Sequence, residues 1–96
     1  MSRRARLRFR LFVAGDTQNS AEAIANLSVF CGEYLPNRHE IEVVDVLRVP
    51  ARAMKDSVFM TPTLVKLSPS PVRQIVGTLS DPYVLSQVLG LRSLAP

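Results

Sequence analysis

The first apolar segment of the chain alternates between hydrophobic and polar positions. Alternation with a period of two is typical of a strand, and Gly15 and the turn-forming stretch DTQNS after it end the pattern. We therefore predict a first strand up to Gly15. The apolar residues that share one of its faces are Leu7, Phe9, Leu11 and Val13.

A helical pattern follows this strand. Apolar residues recur at spacings of three and four between about residues 21 and 35, which predicts a helix with one buried stripe. Asn19 or Ser20 is expected to cap its N-terminus, and Pro36 ends it. The expected stripe consists of Ile24, Leu27, Cys31 and either Tyr34 or Leu35.

The next segments are shorter. The stretch HEIEVVDVL predicts a second strand whose apolar second half is mostly covered on both faces. Pro50 is well placed to open a short helix. TLVKL and VRQIVG then predict two strands separated by SPSP.

The last predicted element is a helix. Ser80 or Asp81 is expected to cap it, a proline occupies its first turn, and Gly90 ends it. Its apolar stripe is expected to contain Val84, Leu85, Val88 and Leu89.

The predicted order βαβαββα indicates an α/β fold. A parallel βαβ unit followed by an antiparallel hairpin and a last helix is the thioredoxin-like arrangement, with a mixed four-stranded sheet. Pro62 stands just before the third strand, where that fold places a cis-proline, and is our cis-proline candidate. Pro69 and Pro71 bound the hairpin loop, where a missing N–H does no harm to the ladder.

The length of the chain indicates one domain, and its charge raises the question of nucleic-acid binding. The 96 residues fit a single domain over 1–96, and residues 1–6 form a basic arm in a chain of net charge +4. A solvated arm that leads into an edge strand with outward arginines is favoured over nucleic-acid binding. No aromatic platform or reader motif accompanies the charge.

The chemistry of a thiol enzyme is missing. The redox cysteines of a thioredoxin-like enzyme would lie where the first strand meets the first helix, and that stretch, AGDTQNS, contains none. The single cysteine, Cys31, lies on the predicted apolar stripe, so we expect a buried structural thiol. We therefore predict that the chain is not an enzyme and holds no cofactor and no metal.

Two other ionisable residues have alternative interpretations. His39 is interpreted as solvated rather than as a general base, because no nucleophile partner is implied. Asp45 is expected to hydrogen-bond near the sheet end or to face an interface, and a buried acid with a raised pKa is the alternative. No signal-peptide pattern and no apolar run of membrane-spanning length is present, so we expect no membrane span and a cytoplasmic location.

Four stretches in this order carry a family resemblance: LFVAGDTQNS, VVDVLRVP, MTPTLVKLSPSPVRQIVG and LSDPYVLSQVLGL. Together, over about residues 7–91, they resemble the circadian-clock KaiB family. The combination of TPTL with PxPVRxIVG and LS is specific. The N-terminal sensor domain of the clock histidine kinase SasA shares the fold, and because no kinase follows residue 96 we expect the free-standing KaiB type.

The resemblance implies a function without catalysis. It implies a regulator that binds the N-terminal ring of the hexameric ATPase KaiC and modulates its phosphorylation state in a circadian clock, a reduced timer or a stress-response system. Arg73, in the shared motif, is the candidate KaiC contact, and a plain strand-face arginine is the alternative. A thioredoxin-like adaptor that binds a SasA-like histidine kinase is the second hypothesis.

The resemblance also implies two folds. The family's resting form is a tetramer with the order βαββααβ, and its KaiC-binding form is a monomer with the order βαβαββα. The candidate fold-switch residues are Val88, Leu89 and Gly90. Val88 replaces a family glycine and Gly90 falls where a helix C-terminus prefers glycine, so we expect the thioredoxin-like form to dominate over a homo-oligomeric resting form.

One departure from the family pattern bears on partners. Clock members carry a basic residue on the second strand where this chain has Glu42, beside Glu40. That strand edge is the family's KaiA contact, so KaiA is the less favoured partner. We expect an accessory KaiB or a homologue from a reduced KaiB–KaiC system.

Overall fold

The chain forms seven regular elements within the described residues. The structure is a computed structural model that describes residues 6–91, so most of the predicted basic arm lies outside the described residues. The predicted order βαβαββα is confirmed. The elements are β1 (Leu7–Val13), α1 (Gln18–Tyr34), β2 (His39–Asp45), α2 (Pro50–Lys55), β3 (Thr63–Ser68), β4 (Arg73–Val76) and α3 (Pro82–Val88).

The four strands form one mixed sheet in the order β2-β1-β3-β4. β1 pairs with β2 in parallel and with β3 in antiparallel orientation, and β3 pairs with β4 in antiparallel orientation. One row of cross-strand neighbours therefore runs across the whole sheet, through Ile41, Phe9, Lys66 and Arg73. The thioredoxin-like fold is confirmed, and the alternative order βαββααβ does not describe this structure.

The prolines before and after β3 have cis peptide bonds. Pro62, the cis-proline candidate, immediately precedes β3, and the other two lie in the β3–β4 connection. The cis bonds are Thr61–Pro62, Ser68–Pro69 and Ser70–Pro71.

The larger apolar core lies between the sheet and the helices α1 and α3. The odd-numbered residues of β1 point to this face, as strand alternation dictates, and Leu64 of β3 joins them. Helix residues complete this core: Ala23, Leu27, Phe30 and Cys31 of α1, Leu85 of α3 and Leu89 just after it.

The smaller core lies on the opposite face of the sheet, under α2. Phe12 of β1 packs there with Val44, Val65, Ala53 and Val58. α2 has only six residues, so it covers only part of this face. The surface around it consequently stays open.

Helix α1 begins earlier than the sequence predicts. Thr17, and neither Asn19 nor Ser20, is the N-cap, and its side chain accepts from the N–H of Ser20. The Ser20 hydroxyl is engaged instead with the preceding loop, where it accepts from the N–H of Ala14 at 3.0 Å. The buried stripe of α1 contains Ala23 and Phe30 as well as the predicted Leu27 and Cys31, whereas Ile24 is exposed.

Strand β2 is less covered than predicted. It forms an edge of the sheet, and only Val44 is fully buried, whereas Val43 is exposed. The prediction that its second half is mostly covered on both faces is wrong, because Val43, at this edge of the sheet, belongs to neither core. The strand also ends at Asp45, two residues before the predicted end.

Helix α3 has the predicted cap and a defined end. The Asp81 carboxylate accepts from the N–H groups of residues 83 and 84. At the other end, Gly90 has a φ of 75° and its N–H donates to the Gln87 carbonyl, while the Leu91 N–H donates to the Ser86 carbonyl at 2.8 Å. This pair of bonds is a Schellman motif, which needs a left-handed residue such as glycine.

Candidate interaction surface

The connection from β1 to α1 is held by structural hydrogen bonds. Thiol enzymes of this fold carry their reactive groups here, but this chain places Ala14 and Gly15 at that point. Asp45, at the end of β2, accepts from the Gly15 N–H at 3.0 Å and from the Leu47 N–H at 2.9 Å. The prediction that Asp45 hydrogen-bonds near the sheet end is confirmed.

The thiol of Cys31 is fully buried in the larger core. Burial raises its pKa to about 12, and the thiolate is the nucleophilic form of cysteine. The expectation of a buried structural thiol is therefore confirmed. In residues 6–91, no group of three or more His, Cys, Asp or Glu side chains is arranged to hold a metal ion.

His39 is half-buried and contacts the end of α1. Its Nδ1 lies 2.8 Å from the Leu35 carbonyl oxygen, one of the carbonyls that a helix end leaves without an intrahelical partner. The interpretation as a solvated histidine is wrong, because the chain reversal after α1 brings the ring back to that carbonyl. The contact gives His39 a structural role.

The four most exposed large apolar side chains lie in one stretch of the chain, which runs from the connection before α2 to the loop before β3. We call Leu47, Met54, Phe59 and Met60 the apolar end surface; Phe59 is 86% exposed and Met54 76%. A shallow groove of about 170 Å³ adjoins it. The groove is lined by Val46, Ala53, Val58, Phe59, Met60 and Thr61.

The loop that carries Phe59 and Met60 is anchored at both ends. On one side Val58 is buried in the smaller core and its N–H donates to the Ala53 carbonyl at 2.8 Å. On the other side the Thr63 hydroxyl donates to the Met60 carbonyl at 2.6 Å. The two exposed side chains are therefore presented by a fixed backbone rather than by a free loop.

The composition of this region suits binding rather than catalysis. Its central residues are apolar, and Arg48 and Lys55, both exposed, follow Leu47 and Met54 directly in the chain. Apolar patches bordered by polar residues are typical of protein interaction sites. The apolar end surface is the candidate functional site of the molecule.

A cluster of charges fastens α2 to the sheet. Arg10 Nε donates to Glu42 at 2.9 Å and Arg10 Nη1 donates to Asp56 at 2.7 Å. Arg52, on α2, makes a bidentate pair with Glu42 at 2.6 and 2.9 Å. Hydrogen bonds from Arg52 and then Arg10 lower the pKa of Glu42 to about 2.

The structure places the site residues suggested by the sequence in separate regions. Glu40 and Glu42 lie on the edge strand β2, Glu40 with its carboxylate 3.8 Å from Arg6 Nε. Arg73 is exposed on β4, at the opposite edge of the sheet. Residues 88–90 form the end of α3, where Leu89 is buried. They do not form one site.

Sequence reasoning missed the apolar end surface. The segment from Val49 to Phe59 contains apolar residues without a clear period of two or 3.6. This lack of periodicity could have indicated exposed apolar residues, because apolar residues that do not pack in a core need not follow the period of a strand or a helix. It also missed the burial of Lys66 in β3, which lies two residues after the core residue Leu64 and so shares its face.

Comparison with known proteins agrees with this fold. A family model described as the KaiB domain matches residues 10–91. The chain belongs to the KaiB family. It is 38% identical over 76 residues to the circadian clock protein KaiB3 of Synechocystis sp., covering 79% of this chain and 74% of that protein. It is 43% identical over 72 residues to the circadian clock oscillator protein KaiB of Microcystis aeruginosa, covering 75% and 69%.

Solved structures show the same architecture. The N-terminal domain of SasA from Synechococcus elongatus matches with a TM-score of 0.73 at 20% identity, covering 100% of this chain and 94% of that domain. The Drosophila melanogaster thioredoxin Deadhead matches with a TM-score of 0.70 at 17% identity, covering 88% and 79%. This KaiB-family chain therefore has the thioredoxin-like fold. No helix within its described residues is long and apolar enough to cross a bilayer.

Proposed function

We propose that this KaiB-family chain is a non-enzymatic regulator that binds a KaiC-type ATPase ring and modulates its phosphorylation state. The observation that carries the proposal is the apolar end surface, which the fold holds in place but leaves exposed. Family membership supplies the identity of the partner. The proposal places the regulator in the cytoplasm, where such a ring would meet it.

The apolar end surface supplies part of the binding free energy that such a partner needs. Fully burying a Phe, Met or Leu side chain contributes about 1.5–3 kcal/mol. Four such residues therefore supply roughly 6–12 kcal/mol before the costs of association, and micromolar binding needs about 8 kcal/mol net. Additional polar contacts at the rim are therefore expected in the complex.

The absence of catalysis in the proposal is supported by the roles of the reactive groups. The Cys31 thiol is buried and its pKa is raised to about 12. His39 contacts a helix-end carbonyl and Asp45 accepts two backbone N–H bonds. Cys31 is thus buried and the other two side chains have backbone partners, so these three residues form no nucleophile–base pair.

The charge of the β2 edge bears on a second partner. Glu42 is engaged by Arg52 and Arg10 of the same chain. A partner that pairs with β2 would meet this internal cluster and the acidic Glu40. KaiA is therefore the less favoured partner in our proposal. From the family resemblance we also propose that the binding form is a monomer rather than a homo-oligomer.

Native mass spectrometry with a cognate KaiC-type ring tests the proposal. The chain is mixed with the wild-type ring and with phosphomimetic and non-phosphorylatable variants, and dephosphorylation of the wild-type ring is followed in parallel. We expect one copy of the chain per ring subunit and a changed dephosphorylation rate. No complex over a broad concentration range would refute ring binding. A complex only with a SasA-like histidine kinase would favour the adaptor hypothesis.

A further inference from the structure

A groove between helix α1 and the chain that leads from β4 into α3 has no role in the proposed function. It has a volume of about 200 Å³. The buried side chains of Phe30 and Leu85 line it, and both belong to the larger core, so the groove lies on the face of the sheet opposite α2. It is therefore separate from the apolar end surface. We call Phe30, Glu33, Tyr34, Leu79, Ser80 and Leu85 the α1–α3 groove.

The two walls of the α1–α3 groove are joined in the free chain. Asn26 Nδ2, on α1, donates to the Thr78 carbonyl at 2.8 Å, and this bond ties the helix to the opposite wall. Leu79 follows with a φ of 63° and a buried side chain, so this wall is anchored in the larger core. The groove is therefore formed before a ligand enters it, and little conformational entropy is lost on binding.

The groove carries a negative charge that the chain itself does not neutralise. Glu33 is exposed in the last turn of α1, and within residues 6–91 its carboxylate forms no ion pair and no hydrogen bond. The C-terminal end of a helix has a negative partial charge, which disfavours a carboxylate there. No basic residue in the last turn of α1 offsets it, so both charges attract a cation from outside.

The start of α3 does not reverse this charge. The N–H groups at a helix N-terminus have a positive partial charge, but the Asp81 carboxylate already accepts from two of them, those of Tyr83 and Val84. None of the described residues that line the groove is a lysine, an arginine or a histidine. In a chain of net charge +4, the α1–α3 groove is therefore a surface that favours a cation.

Aromatic rings beside Glu33 indicate which cation fits. The ring centroids of Phe30 and Tyr34 lie 5.0 Å apart at an interplanar angle of 48°, and both residues line the groove. Aromatic faces attract cations, and the planar guanidinium group of arginine stacks on such a face and pairs with a carboxylate through its N–H groups. A lysine ammonium has the charge but not the planar shape.

We propose that the α1–α3 groove binds an arginine side chain of a second protein partner, distinct from the KaiC-type ring. In the complex the guanidinium pairs with Glu33 and stacks against Tyr34, while its methylene groups pack on the apolar residues of the groove. The volume favours a side chain over a free small molecule, because pockets that enclose whole ligands measure about 300–1,000 Å³. The exposed Val29, which also lines the groove, offers an apolar contact to the residues beside the arginine.

An NMR titration of the isotope-labelled full chain with the tripeptide acetyl-Ala-Arg-Ala-amide tests the inference without the ring. We expect chemical-shift changes centred on Phe30, Glu33 and Tyr34, with saturation only at millimolar or higher peptide concentration, because one exposed ion pair and one cation–π contact bind weakly. The corresponding lysine peptide is expected to bind at least about twofold more weakly, since it lacks the stacking. The glutamine peptide is expected not to bind.

Three variants assign the contacts to the groove. Glu33→Gln and Tyr34→Leu are each expected to weaken binding of the arginine peptide about threefold. Glu22→Gln removes an exposed carboxylate of the same helix outside the groove, so it is the matched control and should bind as the wild type. In thermal denaturation Glu33→Gln should be at least as stable as the wild type, because it removes an unfavourable charge from the helix end. A loss of stability would assign Glu33 a structural role and overturn the inference.

Three other results would also contradict the inference. Equal affinity for the arginine and glutamine peptides excludes recognition of the guanidinium group. Equal affinity for free spermidine would show that the groove accepts small cations in general. Tighter peptide binding by a full chain with Arg3→Gln and Arg4→Gln would show that the chain's own N-terminal arm competes for the groove. Since the ring takes no part in these measurements, the inference and the proposed function can fail separately.

Discussion

The part of the chain up to the end of β2 at Asp45, here called the first half, and the part after it, the second half, differ in how many large apolar side chains they leave exposed. The first half contains β1 and β2 of seven residues each and α1 of 17. The second half has helices of six and seven residues and strands of six and four. Of the exposed large apolar residues, the first half holds Ile24, Val29 and Val43. The second half holds Leu47, Val49, Met54, Phe59, Met60, Val72, Val76, Tyr83 and Val84.

This difference assigns the halves different tasks. The long strands and the long helix of the first half bury most of their apolar side chains, so this half serves as the scaffold of the sheet. The short elements of the second half hold the apolar end surface in place with the smaller core. The prediction that this half also rebuilds into a second fold stays a prediction.

The largest expected effect comes from a matched pair of core leucines. Leu27 of α1 and Leu85 of α3 are each 1% exposed in the same core. We expect Leu27→Ala to lower the free energy of unfolding by about 4 kcal/mol and Leu85→Ala by about 2.5 kcal/mol, since the short α3 can shift to fill part of the cavity. Urea denaturation measures both, and an equal or reversed order would contradict the comparison.

A pair of glycines sharpens the comparison at the ends of the same two helices. Gly32 is in α1, and a Cβ added there would meet nothing within 4 Å. Gly90 has a φ of +75°, which L side chains rarely adopt. Gly32→Ala should raise the free energy of unfolding by about 0.5–1 kcal/mol, and Gly90→Ala should lower it by about 1 kcal/mol. Thermal denaturation shows whether each variant is more or less stable than the wild type. A stabilising Gly90→Ala would contradict the left-handed conformation of Gly90 at the end of α3.

The charge cluster that joins the two halves gives the smallest stability effect. Glu42→Gln removes the pairs with Arg52 and Arg10, and we expect a loss of about 0.5–1 kcal/mol at pH 7. The effect is small because the Glu42 side chain is 47% exposed and water screens its charge. Glu22→Gln, at an exposed position of α1, is the matched control and should be neutral.

The same cluster has a predictable pH dependence. The pKa of Glu42 in the folded chain is about 2, below the ordinary value of 4.5. A lowered pKa stabilises the folded state above pH 4.5, and this contribution is lost as the pH falls from 4.5 through about 2. The difference in stability between the wild type and Glu42→Gln should therefore shrink over this window. A difference that stays constant down to pH 2 would exclude the ion pair as its cause.

The fold could be predicted because local patterns determine it. Alternation identified β1, three- and four-residue spacing identified α1, and Asp81 and Gly90 marked the ends of α3. Burial in β2 could not be predicted, because the exposure of Val43 depends on the position of its strand in the sheet. Likewise, Ser20 could not be excluded as a cap without its bond to Ala14.

The site was harder to predict than the fold. Arg73 followed from a family motif, but the structure places it on the edge strand β4 and not in the apolar end surface. The exposure of Phe59 follows from the anchors on both sides of it, which are Val58 in the smaller core and Thr63 in β3. The periodicity of the sequence does not predict these contacts.

The affinity of a Phe59→Ser variant for a KaiC-type ring tests the central claim most directly. Val29→Ser, at an exposed apolar position of α1, is the matched control, and thermal denaturation of both free chains verifies that they fold. We predict that Phe59→Ser weakens binding at least about thirtyfold, the loss expected for an aromatic hot spot, while Val29→Ser binds as the wild type. Unchanged affinity of a folded Phe59→Ser variant would contradict the assignment of the apolar end surface as the docking site.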